Sequence, residues 1–170
     1  MHAEARAWVE QYATDQPVEV LDLGGRDING SIRNLFPNAT TYRCLDILPG
    51  QGVHIVADAG TWTPDQEYDV VVSTECFEHS ENWRDIVRTA FEALRPGGWF
   101  IATMAGPGRG VHSGVTGAMN DLEPGEFYAN VKPKDLHDAL TAAGFRAIFV
   151  DQRFDPCDVR CVGIRPEGTS

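Results

Sequence analysis

The sequence is poor in basic side chains: 14 Lys and Arg stand against 25 Asp and Glu, for a formal net charge of −11. That balance argues against a standalone binder of nucleic-acid backbone, which needs cations to displace counterions. Cysteine is sparse as well. Cys44, Cys76, Cys157 and Cys161 form no Cys-x-x-Cys pair. Reduced thiols of a cytosolic protein are therefore expected, rather than a disulfide framework or a zinc motif. No apolar run approaches the ~20 residues of a membrane span. The opening Met1-His2-Ala3-Glu4-Ala5-Arg6 lacks the basic-then-apolar layout of a secretory leader. A cytoplasmic protein with no membrane partner is the expectation. No repeat, low-complexity tract or linker interrupts the chain. Its 170 residues fit one domain, and an apolar share of 42% excludes wholesale disorder.

What is present alternates between strand and helix, the pattern of a mostly parallel α/β sheet. Ala5, Trp8, Val9 and Tyr12 recur at helical spacing and predict a helix over 3–14. Val18–Leu23 is a short apolar run ending in Gly24-Gly25 and reads as a buried strand. A short helix is expected over Ser31–Phe36, before the breaker Pro37-Asn38. Thr41–Leu45 reads as a second strand ending at Asp46, and Val53–Val56 as a brief third one ending near Asp58. Too little chain separates these two for a crossover helix, so this half of the sheet looks trimmed. Tyr68–Ser73 is the clearest buried strand. A helix over 81–95 follows, with Trp83, Ile86, Val87, Phe91 and Leu94 on one face, stopped by Arg95-Pro96-Gly97-Gly98. Trp99–Met104 is the next strand. Residues 105–130 are rich in Gly and form a long loop or inserted lobe, which in a compact domain is usually functional. Pro133 opens a helix closed by Gly144. Phe145–Val150 and Val159–Ile164 end the chain as strands, the last antiparallel. Trp8, Trp62, Trp83 and Trp99 are expected between helices and sheet.

The chemistry begins at the first strand's end. A Gly-Gly turn there lets backbone approach a ligand closely. The run Leu23-Gly24-Gly25-Arg26-Asp27-Ile28-Asn29-Gly30 is not Gly-x-Gly-x-x-Gly, nor is it an NTP-binding P-loop. Asp46 lies 24 residues past Asp22 and can accept the hydroxyl protons of a ribose. Asp58-Ala59 can meet an adenine amino edge. Taken singly, each acid also fits a solvated turn or a helix cap; their order along three successive strand ends favours a nucleoside ligand.

This order resembles the class I S-adenosylmethionine-dependent methyltransferases, of the small type-11-like kind. Three segments carry the resemblance: Val20–Gly25, Tyr68–His79 and Ala93–Phe100, the last containing Arg95-Pro96-Gly97-Gly98. It runs from Val18 to Ile164 and includes Ala143-Gly144-Phe145 before the sixth strand. The resemblance implies a Rossmann-like, mostly parallel seven-stranded sheet with helices on both faces. The implied strand order is three-two-one-four-five-seven-six, with the seventh antiparallel. It implies that Gly24 and Gly25 line the methionine part of S-adenosylmethionine and that Asp22 orients that end. Asp46 holds the ribose, Ile47 packs on adenine, and Asp58 and Ala59 border the adenine edge. Ser73, Thr74 and Glu75 sit near the sulfonium. The sequence departs from the family at Arg26 and Asp27, where further glycines are usual, so Gly30, with Asn29 and Ser31, is expected to take over that contact.

A sulfonium is already a strong methyl donor. The site has mainly to align nucleophile, carbon and sulfur, a gain of up to ~7–11 kcal/mol. A base is needed only for a nucleophile that arrives protonated. His112 and Tyr128, in the long loop, are the catalytic candidates, as base and as orienting hydroxyl. Taken singly, each fits an exposed loop side chain better, or for Tyr128 a ring on the core. Glu75-x-x-Glu78-His79 also resembles a divalent-cation segment of ubiquinone-pathway O-methyltransferases and of small-RNA 2′-O-methyltransferases. There the resemblance implies Mg²⁺ or Mn²⁺ on Glu75, Glu78, His79 and His112, whereas in metal-free methyltransferases a Glu-His pair at this point caps or packs the next helix. The expected acceptor is a small molecule with an oxygen or nitrogen nucleophile. Nucleic acid is disfavoured by charge, and amino-directed DNA methylation by the lack of an Asn-Pro-Pro-Tyr-like segment. The small lid implies an open cleft, to be closed by a large substrate or by the second subunit of a homodimer. The rival reading is a noncatalytic or partner-dependent protein that retains the fold.

Overall fold

The computed structural model describes residues 2–168. Its seven strands are β1 (Glu19–Leu23), β2 (Thr41–Asp46), β3 (Ile55–Val56), β4 (Tyr68–Thr74), β5 (Leu94–Ala105), β6 (Arg146–Gln152) and β7 (Asp158–Ile164). The helices are α1 (Ala3–Glu10), α2 (Trp83–Ala93) and α3 (Pro133–Ala143). The strands form one sheet in the order β3-β2-β1-β4-β5-β7-β6. β1 pairs parallel with β2 and β4, β2 with β3, and β4 with β5. β7 runs antiparallel to both β5 and β6. This is the Rossmann-like arrangement of class I methyltransferases, in the order expected. No helix among the described residues is long and apolar enough to cross a membrane.

Alternation along the central strands divides the core between two faces. Val70 and Val72 of β4, with Val20 and Ile101, pack beneath Trp8 and Val9 of α1. Val71, with Leu21 and Phe100, faces α2 and α3 through Ile86, Val87, Leu136 and Leu140. Helices thus cover both faces. α1 is pinned by Trp8, whose indole N–H donates to the Cys161 carbonyl at 3.2 Å. α3 begins at Pro133, where a missing N–H costs nothing. It ends at Gly144, whose φ of 107° a side chain would strain. The Phe91 ring lies 3.0 Å from where a Cβ on Gly144 would sit.

Several element boundaries differ from expectation. α1 stops at Glu10 because Tyr12 and Ala13 bond to Val9 and Glu10 in i→i+3 fashion. Residues 31–36 hold only a 3₁₀ turn, Arg33–Leu35; the proline after Phe36 disfavours helical geometry there. The third strand is two residues long and begins at Ile55. The helix expected over 81–95 runs only from Trp83 to Ala93, and Leu94 already pairs with Tyr68. Pro96 pushes Arg95 into extended backbone, and β5 resumes its register at Val70↔Trp99 after a break containing Gly97-Gly98. Arg95 bridges Asp69 at 2.6 Å and also pairs with Glu19, tying β1, β4 and β5 at their amino ends. Trp99 is not buried between layers; it is 41% exposed, with Tyr12 tilted against it.

Phe145, fully buried between the rings of Phe91 and Phe100, joins α3 to the sheet. Phe145→Ala should cost about 3–5 kcal/mol in urea unfolding, whereas the exposed Phe154→Ala should stay within ~0.5 kcal/mol of wild type.

Candidate active site

Parallel strands present their carboxyl ends on one edge of the sheet, where open α/β sheets form their crevice. Here the crevice is a cavity of about 540 Å³. Asp22, Gly24, Gly25 and Gly30 reach it from β1 and its turn, and Asp46 and Ile47 from the end of β2. Asp58 and Ala59 follow β3, Thr74 ends β4 and Glu75 comes directly after it. Ten of the eleven residues expected around the cofactor therefore line one space. Ser73 is the exception. It is fully buried and its Oγ donates to the Leu23 carbonyl at 2.8 Å, tying β4 to β1.

The first turn is shaped by what cannot be there. A Cβ on Gly25 would lie 2.3 Å from the Asp22 carboxylate. One on Gly24, whose φ is 74°, would lie 2.3 Å from Cys76 Sγ. Asp22 itself is buried inside the β-layer. Its Oδ2 accepts from Tyr42 Oη at 2.7 Å, while Oδ1 has no partner. Burial raises the Asp22 pKa to about 7, against the pull of the Tyr42 hydrogen bond and with help from the Asp46 charge. A cationic group arriving in the cavity would find an orphaned acceptor here.

Asp46 accepts from Arg26 N at 3.2 Å and from Leu48 N at 2.9 Å, and each oxygen keeps a lone pair. Ile47 beside it is 67% exposed, an apolar shelf at the cavity mouth. Asp58 serves its own turn: it accepts from Gly60 N at 2.8 Å and from Asn82 Nδ2 at 3.1 and 3.3 Å. Gly30 N donates to Asp27 Oδ1 at 2.8 Å, so the two unusual residues of the loop have structural roles. Arg26 has the larger one. Its Nη2 donates to the carbonyls of Gly114 and Val115 at 2.9 and 3.3 Å, fastening the first loop to the long loop after β5.

That long loop is hydrogen-bonded throughout. Ser113 is buried and its Oγ accepts from Val115 N and Thr116 N. Glu126 clamps Val115 N and Glu123 N at 2.9 and 2.6 Å. His112 bridges to Met119 and lines the cavity. Tyr128 is not among the lining residues. Its hydroxyl donates to the Gly110 carbonyl at 3.0 Å, and its ring stands edge-on to His79 and His112. The expected orienting hydroxyl is therefore committed to the loop, and Tyr128 supports the two imidazoles instead.

The expected metal set is divided. Glu78, His79 and His112 bring one ligand atom each to within 4.8 Å of one another. Both carboxylate oxygens of Glu78 and Nδ1 of His79 are buried without a hydrogen-bond partner. Burial, with Glu75 nearby, raises the Glu78 pKa well above the carboxylate range. Burial and the charge of His112 lower that of His79 to about 4, leaving a neutral imidazole. Glu75 is turned away. Its Oε2 lies 3.3 Å from His2 Nε2 and 3.8 Å from Arg109 Nη2, and its Oε1 accepts from Thr103 Oγ1 at 3.2 Å. Burial pushes its pKa up, but the hydrogen bond and charge of His2 and the charge of Arg109 outweigh this and hold it below the usual range. Glu75 also has a φ of 54°, costly for a residue with a side chain.

His2, Arg26, Asn82 and Arg109 were not among the expected site residues. Arg26 had a signal, as a departure from glycine; the others reach the cavity only through the tertiary fold.

The sequence model of the family described as "Methyltransferase domain" matches residues 1–149. No curated protein matches the sequence. Among solved structures, phosphoethanolamine N-methyltransferase 2 of Haemonchus contortus, in complex with S-adenosyl-L-methionine, aligns with a TM-score of 0.71 at 14% identity. The alignment covers 96% of this chain and 52% of that one, so the chain spans about half its length. The Burkholderia thailandensis 1,6-didemethyltoxoflavin-N1-methyltransferase, bound to 1,6-didemethyltoxoflavin and S-adenosylhomocysteine, aligns at 0.68 and 14% identity, covering 97% and 78% of the two chains. An S-adenosylmethionine-dependent methyltransferase of Mesorhizobium loti aligns at 0.67 and 17% identity, covering 95% and 98%. With the family match extending over most of the chain, and with the sheet order and crevice already described, the protein belongs to the methyltransferase domain family and has its Rossmann-like class I fold.

Proposed function

We propose that the chain transfers a methyl group from S-adenosylmethionine to an oxygen or nitrogen of a small-molecule acceptor. One observation carries the reading. Successive strand ends bring an orphaned buried carboxylate oxygen, a turn with no room for a Cβ, and an acid with free lone pairs into one cavity. Those groups suit an α-ammonium, a closely approaching chain and a ribose, in that order. The cofactor, when bound, supplies an activated methyl on a sulfonium. The protein's work is then binding and alignment. Asp22 Oδ1 accepts from the ammonium, and Gly24 and Gly25 admit the methionine chain. Asp46 accepts from the ribose, Ile47 covers adenine, and Asp58 and Ala59 border its edge. Gly30 closes the loop over the ligand, and Thr74 and Glu75 stand at the reacting end.

For an acceptor that arrives protonated, His112 is the base. Its Nδ1 faces the Gly110 carbonyl at 3.2 Å, which leaves Nε2, 3.7 Å from Glu78 Oε1, to take the proton. Tyr128 and His79 hold its ring. Residues 105–130 form the acceptor-side lobe of what we take to be one domain over 1–170.

A second reading has its own support in the unbonded carboxylate oxygens of Glu78 and Nδ1 of His79, with His112 close beside them. Their donor set fits a divalent cation such as Mn²⁺, which would polarise an acceptor oxygen. Titration of the protein with Mn²⁺ in a calorimeter should then give one site that His112→Ala removes. Heats no larger than dilution would leave His112 as a metal-free base.

Calorimetric titration with S-adenosylhomocysteine tests the cofactor assignments. Asp46→Ala should weaken binding by about 1.5–3 kcal/mol, the scale of a hydrogen bond to a charged group, with the melting curve intact; unchanged affinity would remove Asp46 from the site. Asp22 gives a pH test. Its carboxyl is half-protonated near pH 7 in the free protein, and pairing with an ammonium ionises it. Binding below that pH must therefore release a proton, and affinity should fall by roughly tenfold per pH unit as acidity rises. Buffers of different ionisation enthalpy at pH 6 should report the release, and Asp22→Asn should abolish it.

A further inference from the structure

The reacting end of the cavity has a wall of four charges that come from four separate places in the chain. His2 precedes α1, Glu75 follows β4, Arg109 lies in the long loop, and Asp158 opens β7. His2 Nε2 lies 2.9 Å from Asp158 Oδ2 and 3.3 Å from Glu75 Oε2. Arg109 Nη1 donates to Asp158 Oδ1 at 2.6 Å and to the Pro156 carbonyl at 3.2 Å. Asp158 and Glu75 are nearly sealed from solvent, with side chains 4% and 9% exposed. His2, Glu75 and Arg109 also line the cavity. Three of these groups could ligate a metal, but the Arg109 guanidinium, 3.3 Å from His2 Nε2, brings positive charge to that centre. Within the wall two carboxylates face two cations, while exposed Glu4 meets the outer nitrogen of His2, Nδ1, at 3.0 Å; Glu75 and Asp158 are balanced only while His2 is charged. Three carboxylates within 3.3 Å of its nitrogens favour that form: burial pulls the His2 pKa down, but hydrogen bonds to Asp158, Glu75 and Glu4, with the Glu75 charge, lift it to about 10.

We infer that His2 is a positioning residue that charge-balances Glu75 at the methyl-transfer end of the cavity, so the residue that caps α1 forms part of the active-site wall. The inference rests on the cofactor reading above, which puts the sulfonium at the end of β4. Its physical content is electrostatic. An unbalanced buried carboxylate would hold a sulfonium tightly in the ground state. Methyl transfer moves positive charge off that sulfur, so the hold is lost in the transition state and raises the barrier. A paired Glu75 keeps its orientation, through Thr103 and His2, without over-binding the donor. The left-handed backbone at Glu75 is consistent with a side chain that the surroundings fix in place.

The test compares two ligands that differ mainly in that charge. S-Adenosylmethionine has a sulfonium and S-adenosylhomocysteine a neutral thioether, so the ratio of their dissociation constants reads the potential at the sulfur. His2→Asn removes the cation and keeps a good helix cap; α1 stays anchored by Trp8 and by Arg6, which donates to the Ser31 carbonyl at 3.1 Å. This variant should shift the ratio in favour of S-adenosylmethionine by about fivefold. Glu75→Gln should shift it the other way, and His2→Lys should restore the wild-type ratio to within about twofold. A merely structural role would weaken both ligands together. An unchanged ratio in folded His2→Asn and Glu75→Gln overturns the inference while leaving the cofactor reading standing. If wild-type protein binds neither ligand, the cofactor reading fails first and this inference fails with it.

Discussion

The site depends on the parallel pairing of β1 with β4. Val20–Asp22 lie against Val70–Val72, and both strands are buried from each face of the sheet. Apolar side chains on both sides make this the least negotiable contact in the fold. It forces two consequences at the carboxyl ends. The chain must turn at once after Leu23, in a space bounded by Cys76 and Asp22 where only glycine fits. It also places a carboxylate within the core, because Asp22 is a strand residue. Tyr42 satisfies one oxygen of that carboxylate, and the other is left without a partner. The fold therefore tolerates a buried, incompletely bonded acid in the wall of the cavity.

Much of this was legible in the sequence because it is local. A β-branched run that stops at Gly24-Gly25, and an acid at each following strand end, need only the neighbouring residues to be recognised. The seven-strand order followed from the resemblance and is what the sheet shows. The misreadings have physical reasons of a different kind. Ser73 has the position expected of a ligand contact, but its hydroxyl is taken by the Leu23 carbonyl across the sheet. Tyr128 is taken by Gly110. Glu75 and Glu78 look equivalent in a Glu-x-x-Glu-His segment, yet one faces cations and the other faces imidazoles. Only the tertiary arrangement decides which, because His2 and Arg109, the cations that face Glu75, lie far away in the chain. Helix ends were misjudged where proline acts on the residue before it, as at Phe36 and Arg95.

The trimmed half of the sheet is balanced by the long loop. β3 is two residues long, and no crossover helix separates it from β2, so little secondary structure covers that side of the crevice. Cover comes instead from residues 106–132, folded on Ser113 and Glu126. Arg26 fastens them to the first turn, and Ala129 N donates to the Glu78 carbonyl at 2.8 Å. Arg26 thus adds a strut between the first turn and the long loop in a fold whose third strand is two residues long.

The Arg26 strut grips the loop by main-chain carbonyls, those of Gly114 and Val115, and not by side chains. Any sequence that keeps the loop's backbone path can therefore accept the same fastening. The side chains of Val115 and Met119, residues 37% and 59% exposed at the cavity rim, carry no part of it. Those side chains can change, and with them the shape of the cavity rim, while the fastening below stays as it is.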